Sequence, residues 1–405
     1  MLSLLPLSLY VHMPWCVRKC PYCDFNSHEH RGGPPPFAAY VDALLADLDH
    51  DLPLVWGRTV HSVFFGGGTP SLFPAEAIDR FLQGAAARLR FAPGCEITLE
   101  TNPGTAEHGR FEDYRKAGVN RISFGIQTFD DEVLKRLGRI HDSGQADAAV
   151  KLAQDAGLDN LNLDLMYALP SQTQAMAEYD LQRAFALSPA HISHYQLTLE
   201  PNTVFAARPP QGIPDEDAAW DIQEHCQALL AEAGFAQYEI SAYARPGRQC
   251  EHNLNYWRFG DYLGIGAGAH GKISLPRSDV TDANGVRGDD AHARDRILRR
   301  WKLKHPAAYL ASAGSPAAIG GDEAIAESQR PFEFMLNQLR LREAFPLARF
   351  ESRTGLSRDV IAAPLADAVA RGWLQVEGDR VIPTEAGQRF ANDTISLFLP
   401  GDDAH

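Results

Sequence analysis

No segment of this 405-residue chain approaches the roughly 20 consecutive apolar residues that a membrane-spanning helix requires. Positive charge is also in short supply. Lys and Arg total 38 against 52 Asp and Glu, a formal net charge of −14. An acidic surface repels both a phosphate backbone and anionic lipid, which sets aside general nucleic-acid binding and electrostatic docking on membranes. The apolar start MLSLLPLSLYVHMPW lacks the basic flank and small-residue cleavage site of a secretory signal. The expectation is a soluble, cytoplasmic protein. Cysteine is scarce, with six in all. Three of them fall within eight residues, while Cys95, Cys226 and Cys250 are scattered. A disulfide framework would spread its cysteines, so the cluster points to metal in a reducing compartment.

What is abundant is alternation. Short β-rich runs at 8–13, 60–65, 96–100, 121–126, 161–165 and 191–197 are separated by amphipathic helical stretches at 37–48, 75–89, 108–117, 144–156 and 175–187. Strand–helix alternation of this kind implies βαβ units and a parallel sheet. Six units fall short of the eight that close a full barrel, so a partial (β/α)6 barrel and an open doubly wound sheet both fit. Beyond them, 215–233 reads as a long helix and 235–244 as another strand. Residues 245–271 are rich in Gly, Arg and aromatics, and 274–295 reads as a polar surface loop. Helices are expected at 328–341 and 357–371, followed by a hairpin in GWLQVEGDRVIPTEAG. That ending suits a winged-helix-like module, and without a basic stripe its expected role is structural. The organisation predicted is 1–245 as the barrel, 246–323 as a connection and 324–405 as the C-terminal module.

The cysteine cluster is Cys16-Val-Arg-Lys-Cys20-Pro-Tyr-Cys23, a CxxxCxxC placed directly after the first strand. Thiolates this close in sequence select zinc or iron–sulfur centres. A structural zinc site favours two CxxC-like pairs, and no second pair exists. A cubane takes four cysteines when fully ligated by protein, so three would leave one iron open to a small molecule.

Here the chain resembles the radical S-adenosylmethionine superfamily. The resemblance implies an α/β fold, a partial (β/α)6 TIM-like barrel with a mainly helical, winged-helix-like C-terminal domain. It implies a [4Fe–4S] cluster on Cys16, Cys20 and Cys23, with S-adenosylmethionine chelating the open iron. One electron from such a cluster cleaves a carbon–sulfur bond to give a 5′-deoxyadenosyl radical. Polar residues at successive strand ends match that picture. The resemblance assigns Gly67, Gly68 and Thr69 in GGGTP to the methionyl amino group, and Glu100 in ETNP to the methionine part. It places Gln127, Arg139 and Asp164 around the carboxylate and adenosine, with Tyr10 near the cluster-bound methionine and Tyr22 among the cofactor-binding residues. Each could alternatively be a structural polar residue at the barrel top.

Within the superfamily, HMPWC, CPYCDF, FGGGTPS, FGIQTF and NLDLMYALP are closest to the oxygen-independent coproporphyrinogen III dehydrogenases (HemN) and the related haem chaperones (HemW). The dehydrogenases continue to CxxxCxxCxC; here Phe25 stands at the fourth position, as in the chaperones. The chain begins nine residues before Tyr10, so the dehydrogenases' N-terminal extension is not expected. His252-Asn253-Leu254-Asn255-Tyr256-Trp257 matches the chaperones' HNxxYW motif. Imidazole is a common haem ligand and flanking aromatics can stack on a porphyrin. The plainer reading makes His252 a loop hydrogen-bonder and Tyr256 and Trp257 core residues. Cys250 is a weaker candidate for haem iron. The resemblance thus implies haem as cargo, recipient apo-cytochromes at the membrane, no nucleic acid, and allows a homodimer. Its alternative is radical decarboxylation of coproporphyrinogen III.

Overall fold

The computed structural model describes residues 2–105, 110–276 and 295–401. Six strands run parallel and in chain order: β1 (Leu7–Met13), β2 (Thr59–Gly67), β3 (Arg90–Thr101), β4 (Arg121–Gln127), β5 (Leu161–Tyr167) and β6 (His191–Gln196). Helices follow each of the first five strands, several with well-formed starts. Asp142 closes a capping box with Gln145, and Thr173 and Asp215 cap the Gln174–Ala186 and Glu216–Glu232 helices. This is the expected partial (β/α)6 barrel.

The strands read as near-continuous apolar runs because both of their faces are covered. In β1 and β5 every residue is buried except one, Tyr10 and Asp164 respectively. Both of those residues border cavities.

The sheet extends past the six strands on both edges, and here the sequence reading needs correction. The 235–244 stretch is two short antiparallel segments, Ala236–Gln237 and β7 (Ala242–Ala244), not one strand. Glu239 breaks the run: its carboxylate accepts from the Ser241 amide and hydroxyl at 3.1 and 2.9 Å, forcing a turn. On the other edge, the segment read as a connection supplies β8 (Asp261–Ile265), parallel to β1, then antiparallel β9 (His270–Leu275), β10 (Arg296–Lys302) and β11 (Ile319–Ala324). Glycine makes the β8–β9 approach feasible, since a β-carbon on Gly264 would lie 1.9 Å from the His270 carbonyl oxygen. The loop expected at 274–295 lies mostly outside the described residues.

Buried ion pairs tie this extension to the barrel. Asp261 bonds Arg58 at 2.9 Å and Lys272 at 3.0 Å. Burial pushes its carboxyl up, but the two cations hold it below the usual carboxylate range. Lys302, also buried, binds Asp47 and, at 2.6 Å, Asp51 of the Phe37–Asp51 helix.

A second hydrophobic core gathers Phe334, Phe345, Phe350, Ile361 and Val381 with Leu2, Phe259 and Ile297 from elsewhere in the chain. Around it stand a three-stranded sheet (Phe345–Pro346, Arg380–Pro383, Leu374–Glu377) and short helices. The helix expected at 328–341 spans Arg330–Gln338. The one at 357–371 splits into a 3-10 turn and an α-helix, Ala362–Ala370, because Pro364 lacks the N–H that would continue the ladder.

Candidate functional site

The cysteine loop leaves β1 and is closed by a two-residue ladder between Trp15–Cys16 and His28–Glu29. Lys19 braces it from within, its ammonium donating to the carbonyls of Phe25 and Ser27 at 3.0 and 3.2 Å. The three thiols then face one cavity at the carboxyl ends of the strands. Thr69 Oγ1 approaches Cys16 Sγ at 3.5 Å, Arg139 Nη1 approaches Cys20 Sγ at 3.6 Å, and Ser27 Oγ lies 3.4 Å from Cys23 Sγ. Burial pushes the Cys16 thiol up to about 11. Among the described residues no three Cys, His, Asp or Glu converge closely enough to hold a single metal ion.

Gly67, Gly68 and Thr69 press directly against that loop. The Gly68 and Thr69 amides donate to Met13 and Trp15 carbonyls, both at 2.8 Å. A β-carbon on Gly68 would sit 2.5 Å from the Trp15 oxygen, and one on Gly67 2.5 Å from the His12 ring. Gly68 therefore admits the protein's own cysteine loop, and Gly67 the His12 ring of β1.

The same cavity collects Tyr22, Glu100, Gln127, Arg139 and Asp164. Glu100 is half-buried and its pKa is pushed up to about 8, by desolvation and then by the Asp164 charge; the Gly67 amide bonds it. Asp164 is raised by burial as well and accepts from Asn162 Nδ2 at 2.8 Å and Ser123 Oγ at 3.1 Å. Neither carboxylate has an ion-pair partner among the described residues. Across from them, Arg139 donates to the Gly125 carbonyl while its buried Nε has no partner. Gln127 ends β4 at a left-handed φ of 74°, a strained position for a side-chain-bearing residue, and its Oε1 accepts from Tyr195 Oη at 2.7 Å. Two desolvated carboxylates and a half-satisfied guanidinium in one pocket suit a ligand carrying both an ammonium and a carboxylate. Three thiols beside them suit an iron–sulfur centre. The residues present fit the implied cofactors.

Tyr10 and His252 are placed elsewhere. They border a neighbouring cavity of ≈ 740 Å³, which shares Cys23, Phe25, Ser27, Gly67 and Glu100 with the first. His252 lies on the Glu251–Trp257 helix. Cys250 offers that helix no side-chain cap; instead the buried Glu96 carboxylate accepts the His252 amide at 3.2 Å and the Cys250 thiol at 3.5 Å. Cys250 is thus a buried packing residue that does not border the cavity. The His252 ring packs on Phe64 (centroids 4.8 Å) and near Tyr10 (6.2 Å), and Ser62 Oγ lies 3.4 Å from its Nδ1. Desolvation lowers its pKa to about 3, so the imidazole is neutral at physiological pH. Tyr256 faces the cavity with its ring 5.1 Å from Tyr262. Trp257 turns away beneath the Arg340 guanidinium at 4.3 Å. The motif therefore splits between cavity wall and packing.

A run of hydrogen bonds leads from the start of the His252 helix to the thiol cavity. The Cys250 amide donates to Tyr238 Oη at 3.3 Å, and the Tyr238 hydroxyl donates to His191 Nε2 at 2.8 Å. His191 Nδ1 then donates to Asn162 Oδ1 at 2.6 Å, and Asn162 Nδ2 donates to Asp164. Burial keeps His191 neutral, which this single direction of donation requires.

Sequence reasoning missed Tyr195, Ser123, His12, His270 and Lys304. Tyr195, one residue before the end of β6, carried the same strand-end signal as the others. The remaining four reach the cavities by alternation or from distant strands and had no local signal.

Residues 10–184 match the radical SAM superfamily model, and 325–390 match the HemN C-terminal domain. The chain is 50% identical to "Heme chaperone HemW" of Escherichia coli (strain K12) over 399 residues, covering 98% of this chain and 100% of that one. It is 48% identical to the Haemophilus influenzae protein of the same name, covering 97% and 98%. The Mycobacterium tuberculosis (strain ATCC 25618 / H37Rv) protein so named is 34% identical, covering 97% and 95%. Among solved structures, coproporphyrinogen III oxidase (HemN) from Escherichia coli superposes with a TM-score of 0.78 at 24% identity, covering 98% and 90%. That likeness concerns the fold.

Proposed function

The chain belongs to the HemW family of the radical SAM superfamily, and from that premise we propose that it is a haem chaperone of the cytoplasm. Cys16, Cys20 and Cys23 hold a [4Fe–4S] cluster. Glu100 and Asp164 receive the cationic groups of S-adenosylmethionine, Arg139 its carboxylate, and Gln127 its adenosine side. Tyr22 borders the cluster end of the pocket, and the backbone of Gly67, Gly68 and Thr69 forms its floor. When bound, this pair supplies one-electron chemistry at the sulfonium; the protein's part is to hold and desolvate it. Haem lies in the second cavity against His252, with Tyr10 and Tyr256 beside it, and is passed to apo-cytochromes at the membrane. No described helix is long and apolar enough to cross a membrane. A homodimer is compatible with this reading.

The observation that carries the proposal is the second cavity. Its volume of ≈ 740 Å³ is in the range of small-ligand sites, and a neutral imidazole among aromatic rings lines it. His252 Nε2 has no hydrogen-bond partner among the described residues. Phe25, 64% exposed where the dehydrogenases carry a fourth cysteine, borders both cavities.

Haem titration of reconstituted protein, followed by Soret absorbance, tests the reading. We expect stoichiometric binding that His252→Ala weakens roughly 10–100-fold, as loss of an axial ligand should. Anaerobic conversion of coproporphyrinogen III to protoporphyrinogen would instead establish the dehydrogenase alternative.

A further inference from the structure

The second cavity is unevenly charged. Only seven lysines occur in the chain. Four of them, Lys116, Lys135, Lys272 and Lys302, are ion-paired. Of the three that have no carboxylate partner among the described residues, two, Lys19 and Lys304, border this one cavity. In a chain of net charge −14, two ammonium groups without carboxylate partners thus stand at one cavity mouth.

Both lysines are positioned by the cysteine loop. The Lys19 ammonium is held by the Phe25 and Ser27 carbonyls, at 3.0 and 3.2 Å, and keeps one of its three hydrogens free. The Lys304 carbonyl accepts from Asn26 Nδ2 at 2.9 Å, which ties its main chain to the same loop and leaves the side chain unengaged. Four imidazoles also border the cavity. His12 bonds Tyr10 Oη and the Asn26 carbonyl, and His28 bonds Asn26 Oδ1 and the Lys304 backbone, so neither has a nitrogen to spare. His270 has no hydrogen bond among the described residues; its exposed ring is stacked on Trp301 with centroids 6.1 Å apart. Two carboxylates face the same space. Glu100 sits with Tyr10 at the His252 end, and Asp24 stands exposed on the cysteine loop. The cavity is therefore aromatic and imidazole-lined at one end and cationic at its mouth.

We propose that Lys19, Lys304 and His270 form a carboxylate seat that takes the propionates of a tetrapyrrole. This rests on the haem reading and adds an orientation to it. The apolar edge of the macrocycle enters toward Tyr256 and His252, and the two propionates remain at the mouth. A flat amphiphile with both carboxylates on one edge matches that distribution, and a charge-assisted bond to each carboxylate fixes which way it enters.

The test compares haemin with haemin dimethyl ester, whose propionates carry no charge, by Soret titration of the full-length reconstituted protein. Wild type is expected to bind haemin about ten-fold or more tighter than the ester. Lys304→Glu, and separately the pair Lys19→Met with Lys304→Met, should abolish that preference. In Lys304→Glu, affinity for the ester and for S-adenosylmethionine should stay within about two-fold. Lys304→Glu guards against a collapse of the cysteine loop in the Lys19 variant, because Lys304 touches that loop through its main chain. Equal binding of haemin and ester by wild type, or an unchanged preference in both variants, overturns the seat. His252→Ala would still report on haem in that case, so the two readings fail separately. Absence of any haem binding by wild type overturns both.

Discussion

The two cavities share a wall but are built from opposite materials. The thiol cavity lies at the strand ends and brings together desolvated carboxylates, a guanidinium and sulfur, where charge is costly unless a ligand neutralises it. Its neighbour is bordered by aromatic rings and neutral imidazoles and opens onto lysines. The first has the makings of a site that binds by charge compensation, the second by apolar contact and one donor atom. A protein that keeps one cofactor and hands over another ligand gains from that difference. Desolvated charge pairs release slowly, whereas an open apolar cleft exchanges its contents more readily.

The largest expected effect tests whether the cavities are separable. Replacing Cys16, Cys20 and Cys23 together by Ala should remove all cluster iron and sulfide, measured chemically. Affinity for haemin dimethyl ester, which does not use the lysines held by that loop, should stay within about three-fold, because His252 is held by Glu96, Phe64 and Ser62 and not by the cysteine loop. Loss of haem binding in that variant would show the shared wall to be one site. Next in size, Gly68→Ala should cut cluster occupancy at least ten-fold, since its β-carbon would meet the Trp15 carbonyl at 2.5 Å and push the loop out. Iron content against protein concentration reads this directly.

A smaller effect follows from Glu100. Its folded-state value of about 8 lies above the ordinary 4.5, so between those pH values the native state holds a proton that the unfolded chain has lost. Stability of the cofactor-free protein from this group is present below about pH 4.5 and is lost as pH rises through 8. Glu100→Gln should flatten that slope in urea titrations at pH 5 and pH 8. Because a cationic ligand favours the ionised carboxylate, S-adenosylmethionine affinity should rise over the same interval in wild type and not in the variant. The smallest effect concerns the hydrogen-bond run behind the thiol cavity. Tyr238→Phe leaves His191 Nε2 and the Cys250 amide without their partner and should cost about 1–3 kcal/mol in denaturant unfolding.

Much of the thiol cavity is legible in the sequence. The cysteine spacing, the polar residues closing β2, β3 and β4, and Asp164 within the apolar β5 are local signals, and a barrel brings strand ends together whatever its helices look like. Tyr195 could have been added by the same rule. The second cavity was legible only as one motif. His252, Tyr10, His270 and Lys304 come from four places in the sequence and meet because β8 adds to β1, after which β9 and β10 fold back beside it. The Gly-rich segment around β8 carries no alternating pattern that would mark it as a strand. Its place is decided by the buried Asp261 meeting Arg58 and Lys272.

The sequence by itself determined the parallel barrel, the three thiols and most of the polar groups around them, because apolar period, strand-end position and ligand spacing are properties of neighbouring residues. Tertiary structure alone decided that Tyr10 and His252 belong to a separate cavity and that Gly68 makes room for protein backbone. It also decided that two lysines without carboxylate partners stand at one mouth. Each of these depends on which distant segments come within a few ångströms, and that is set by sheet order and buried charge pairs, which no local pattern records.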